Sequence, residues 1–162
     1  MADFVKSGYG QVEPNHLSAQ RTGQIYAQLP AADAIEVLEN GTFVKYDYPE
    51  GVVNFEGDGE WMLVFNEVKL YELRQFYADY AMKKADAVDG EIVPRVFKTN
   101  VGDIFTTNMV KDAAYVVGDV LAPGATGVLE DAGVDPAGMQ WQVVSLTTMP
   151  DSKPAVKLMR IA

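Results

Sequence analysis

Most familiar active-site chemistry in this chain would have to rest on one residue, His16, its only histidine. A Ser-His-Asp relay needs an imidazole to take the serine proton. None of Ser7, Ser18, Ser145 and Ser152 sits in the G-x-S-x-G turn that exposes such a nucleophile. His16 therefore reads as a surface or contact residue. With one histidine and no cysteine, multi-histidine and thiolate metal sites, disulfides and cysteine nucleophiles are all excluded. Asn54, Glu56 and Asp58, followed by Gly59, place oxygen ligands at alternate positions, as a calcium loop begins. The twelfth position is Phe65, where a bidentate glutamate is required, and Glu67 arrives two residues late. The run reads as an acidic hairpin tip. No catalytic residue, cofactor or metal is expected.

Two further chemistries are weighed and set aside. Glycosidases need only two carboxylates, but among 23 acidic residues some pair must fall close together, so the signal selects nothing. Trp61 and Trp141 are candidate sugar-stacking platforms, yet both lie in strand-like runs and read first as core. Neither a P-loop nor G-x-G-x-x-G before a helix is present, and the glycine-rich Gly57-Asp58-Gly59 is acidic and repels phosphate. A formal charge of -10 argues against a nucleic-acid partner. The acidic clusters are too short for a DNA mimic, so solubility accounts for them. Residues 1–20 show no apolar signal segment, and no run approaches a membrane span, so folding in the cytosol is the expectation.

The elements that would position any site are mostly strands. At 162 residues with 48% hydrophobic composition, the chain supports one well-cored domain. Residues 34–38 and 42–46 flank Asn40-Gly41, which predicts a type I′ hairpin. Residues 52–55 and 61–65 predict a second hairpin around the acidic tip. In residues 69–84, Leu70, Leu73, Phe76, Tyr77 and Tyr80 recur at three- and four-residue steps, which predicts one amphipathic helix. Strands resume at 91–99, 103–110, 114–117, 118–122, 127–130, 141–148 and 155–161. Turns at this spacing predict a mainly β (α+β) body, a compact barrel or sandwich with one helix. Val101-Gly102-Asp103 is echoed by Val117-Gly118-Asp119, each followed by two apolar residues. Gly takes the special dihedrals and Asp bonds nearby amides, so the pair predicts two equivalent turns that start strands.

Residues 1–30 differ from the body, 31–162. Asp3, Glu13, Lys6 and Arg21 cancel, so the body carries the whole net charge. Gly8, Gly10, Pro14, Gly23 and Pro30 punctuate the segment, and its apolar residues follow no period. It reads as an extended N-terminal arm that lies on a partner, with Phe4, Tyr9, Leu17, Ile25 and Tyr26 as partner-binding anchors.

Residues 33–130, through NVGDIFTTNMV, VVGDVLAPGATGVL and LENGTFVKYD, resemble the head decoration, or cement, proteins of tailed phages. That resemblance implies a β-rich structural protein on the capsid exterior of a virion, made in the host cytoplasm. The implied partners are the major capsid protein and further copies of the chain, a trimer or other homo-oligomer, with neither nucleic acid nor membrane. Such a protein reinforces contacts between capsid subunits and catalyses nothing. The alternatives are another virion component, of tail or fibre, and a carbohydrate-binding β module.

Overall fold

The computed structural model describes residues 3–18, 28–66, 81–134 and 138–162. Twelve strands run through them: β1 (Val12–His16), β2 (Val37–Glu39), β3 (Phe43–Asp47), β4 (Val52–Asn54), β5 (Met62–Val64), β6 (Ala81–Lys83), β7 (Val96–Phe97), β8 (Ile104–Thr107), β9 (Val120–Pro123), β10 (Leu129–Asp131), β11 (Trp141–Thr148) and β12 (Pro154–Arg160). They form a six-stranded antiparallel sheet in the order β1-β8-β12-β11-β9-β10, a four-stranded one, β4-β3-β5-β7, and the pair β2-β6.

Alternation along the central strands explains how these sheets meet. In β3 and β5, Phe43 and Leu63 face the larger core with Phe105, Leu121, Trp141 and Leu158. Val44, Tyr46, Met62 and Val64 face the opposite way, onto a second core with Ile35, Leu38, Val53 and Ile92. A sheet buried on both faces needs continuous rather than alternating hydrophobicity, which is why Met62, Leu63 and Val64 are all buried. The larger core closes on an aromatic trio. The Phe105 ring lies 4.8 Å from Trp141 at 87°, and Phe43 lies 5.8 Å from Trp141.

Several expectations are corrected. The six-stranded sheet does not close: β1 and β10 are its two edges, so the described residues form no barrel. The expected hairpin at Asn40-Gly41 is a turn between sheets, because β2 pairs with β6 while β3 pairs with β4 and β5. Only Gly41 takes positive φ there. Asn40 is held instead by Asn66, its Oδ1 accepting the Asn66 N–H and its amide donating to the Asn66 carbonyl. Residues 52–54 and 62–64 do not pair with each other; each flanks β3. At the acidic tip, Asn54 Oδ1 accepts the N–H groups of Glu56 and Gly57, so this side chain closes the turn. Residues 114–117 are irregular rather than a strand. The expected helix lies outside the described residues except at its end, where residues 81–83 form β6.

The two Val-Gly-Asp turns match the expectation closely. Gly102 and Gly118 take φ of +94° and +103°. Asp103 Oδ2 accepts the Asn100 N–H, and Asp119 Oδ2 accepts the Val116 N–H, each closing the same three-residue span. Gly102 N–H donates to the Arg160 carbonyl and Arg160 N–H to that of Asp103; Gly118 and Val143 repeat the exchange with Asp119. The turns differ in load. The Asp103 residue is 1% exposed and its carboxylate also accepts from the N–H and hydroxyl of Ser18. Asp103→Ala should therefore cost about 3 kcal/mol, and Asp119→Ala about 1 kcal/mol. Urea unfolding of the two variants checks the order.

Candidate functional site

The segment expected as a free arm is woven into the body over its described part. β1 pairs with β8, Val12 opposite Thr107 and His16 opposite Ile104, across a bulge. Side chains of the body hold the approach to this strand. Asn108, fully buried, donates its amide to the Ser7 and Tyr9 carbonyls and accepts the Gln11 N–H at 2.6 Å. Glu39 accepts the Gly10 N–H and pairs with Lys6 at 2.7 Å. Phe4 N–H donates to the Ala113 carbonyl, and its ring sits 6.2 Å from that of Tyr115.

This corrects the anchor list. Leu17, 2% exposed, belongs to the chain's own core and leaves almost no surface for a partner. Phe4 is packed against the same core. Tyr9 is half-buried, with the Lys83 ammonium 5.2 Å from its ring centroid. Ile25 and Tyr26 lie outside the described residues. The structure thus brings Phe4, Tyr9 and Leu17 together with the body, so 30 is not a boundary between arm and body over these positions. The signal that sequence reading missed is polar: Asn108, Glu39 and Asp103 supply acceptors and donors to backbone, with no hydrophobic period to announce them.

Tyr115 reports on this docking. Burial, with Asp131, Asp112, Glu130 and Asp119 around it, pushes its phenol up to about 12, while the hydroxyl donates to the Lys111 carbonyl. The ordinary value is 10.0. A folded-state value above the unfolded one gives stability that is complete below the unfolded value and is lost as pH rises through the folded one. The Tyr115 contribution should fade between about pH 10 and 12. Urea unfolding across that window should show a smaller alkaline loss for Tyr115→Phe than for the unmodified chain.

The other candidate residues are not brought together among the described residues. The His16 side chain is exposed and makes no hydrogen bond among the described residues; Ser18, two positions on, bonds to Asp103 instead. Trp141 is fully buried, whereas Trp61 is half-buried and lines a cleft. Among the described residues no three histidine or acidic side chains are placed to share a metal, and no helix is long and apolar enough to cross a membrane.

No family model matches the chain, and neither a curated protein nor a solved structure is significantly similar to it. That finding corrects the viral reading: nothing among known proteins ties the chain to a virus, a capsid or a bacteriophage.

What the fold leaves open is a strand flank. The outer edge of β4 is covered by residues 30–32, through Val53 N–H to Pro30 and Ala32 N–H to Val53. The outer edge of β10 is covered at Lys111, whose N–H donates to Leu129. β1 carries Pro14, Glu13 and a bulge, the features that blunt an edge. In β11, by contrast, β9 reaches only Trp141 and Gln142, with one further exchange at Val143. Beyond Val143, residues 144–148 have β12 on one flank and no described strand on the other. This stretch carries no charge and no proline. Leu146, 48% exposed, lies on it, with Val116 at 41% and Val117 at 65% beside the point where the chain joins at Gly118.

Proposed function

We propose that the chain is a non-catalytic structural protein that binds protein subunits. It takes an extended segment of a neighbouring subunit along the open flank of β11 and so ties neighbours in a repetitive assembly together. The observation supporting this reading is the contrast between that uncharged, proline-free flank, irregular only between Val143 and Ser145, and the covered or charged edges of β4, β10 and β1. Unpaired strand groups supply backbone hydrogen bonds to an added strand, and Leu146 and Val117 supply apolar contacts beside it. The sandwich-like packing of the two larger sheets gives the flank a rigid base, and the acidic surface keeps the free protein soluble. Each contact is weak, and repetition makes the assembly stable.

Rate-zonal sedimentation of extract from the producing cells tests this. The chain should run with a large particle, in fixed ratio to one abundant subunit. Leu146→Lys combined with Val117→Lys should move it to the position of free protein. Both side chains are exposed, so the melting temperature should shift little. A chain that sediments alone, or a double variant that stays with the particle, rejects the proposal.

A further inference from the structure

Trp61 stands in a setting that its packing role leaves unexplained. Partly buried against the larger core, it also lines a cleft of about 480 Å³ with Lys45, Glu60, Pro123, Met139 and Arg160. That volume lies in the range of small-molecule sites, which join apolar walls to a few convergent polar groups. The walls here are Trp61, Pro123 and Met139. The polar groups are two cations and one carboxylate, and the carboxylate is already paired, Glu60 with Lys98 at 2.9 Å. The Lys45 ammonium lies 4.7 Å from the indole centroid and makes no ion pair among the described residues. Arg160 is held by Thr99 through Nη1 and donates from Nε to the main-chain oxygen of Ala162 at 2.9 Å. Its Nη2 makes no hydrogen bond among the described residues. The cleft is therefore locally cationic in a chain of charge -10.

We infer that this cleft binds a saccharide carrying one carboxylate, a hexuronate, with its ring against Trp61 and its carboxylate toward Lys45 and Arg160. The electron-rich indole face attracts the polarised C–H bonds of a pyranose and covers its apolar side. A cation over a partly exposed ring gains little, so the Lys45 ammonium can turn to an incoming carboxylate at small cost. Charge then selects among ring-shaped ligands. A neutral sugar forgoes both cations, and a nucleotide brings several negative charges into the field of an acidic protein. A single carboxylate uses the cations and meets the least repulsion. This inference is independent of the β11 flank, which involves other residues.

Amide and indole NMR spectra of the full chain, titrated with glucuronate, test it. The Trp61 indole signal should shift saturably while that of the fully buried Trp141 stays in place. Lys45→Gln, a half-exposed position, should keep the fold and weaken binding about tenfold, a 1.4 kcal/mol effect. Glucose, which lacks the charge, and acetate, which lacks the ring, should each bind at least about tenfold more weakly than glucuronate. No saturable shift at Trp61, equal binding by acetate or glucose, tighter binding by adenosine monophosphate, or an unaffected Lys45→Gln variant each overturns it.

Discussion

Gly127→Ala is expected to destabilise the chain by about 4 kcal/mol, combining overpacking with backbone strain. Gly127 lies in the turn between β9 and β10, closed by its own N–H to the Gly124 carbonyl, and its carbonyl accepts the N–H of Phe43 at 2.8 Å. That bond joins the six-stranded sheet to the first residue of β3, where the Phe43 side chain enters the aromatic trio. A Cβ at 127 would stand 1.9 Å from the Phe43 carbonyl oxygen and 3.0 Å from the Phe55 ring. Backbone cannot yield as a side chain tip does, so the two sheets would have to separate. Gly133 supplies the control. Its φ of +73° is nearly that of Gly127, +71°, and nothing lies within 4 Å of its Cβ position. Gly133→Ala should therefore show only the left-handed backbone term, about 1–2 kcal/mol. Urea unfolding of both variants separates space from dihedral. Equal losses would mean that the sheet junction relaxes freely and is not held at Gly127.

The sequence was most readable where a short run of residues determines its own geometry. The Val-Gly-Asp turns are such runs, because glycine dihedrals and an aspartate three residues from its donor close them without outside help. Asn40-Gly41 shows the limit. The pair marks a change of direction, but which strand lies beside β3 is decided by burial on both its faces. Residues 52–55 and 61–65 predict a hairpin because they are close in sequence; the sheet places β3 between their strands. The N-terminal segment departs from expectation for a different reason. Its attachment runs through side-chain bonds from Asn108, Glu39 and Asp103 to distant backbone, and such bonds leave no period in the segment. The β11 flank was legible only as a strand. Its openness depends on where β9 ends, which is a property of another part of the chain.

Deleting residues 1–18 is expected to remove most or all of the cooperative thermal transition, the largest effect of any change considered. The deletion takes Leu17 and Val12 out of the larger core, and Phe4 from beside it. Loss of a buried leucine alone costs about 2–5 kcal/mol. It also strips partners from groups that remain buried. Asn108, with no exposed surface, loses its bonds to Ser7, Tyr9 and Gln11, and the Asp103 carboxylate loses both bonds from Ser18. Each buried polar group left unpaired costs about 1–3 kcal/mol, more when charged. Deletion also opens the length of β8 as a new sheet edge. Together these losses approach the entire stability of an ordinary domain, about 5–15 kcal/mol. Two point variants divide the effect. Leu17→Ala should show the apolar share, while Lys6→Ala, which breaks a partly exposed ion pair with Glu39, should cost about 1 kcal/mol or less. Circular dichroism melts read all three. If the deletion melts cooperatively within a few degrees of the full chain, the segment is a covering and not a core element, and its residues return to contention as anchors for a partner.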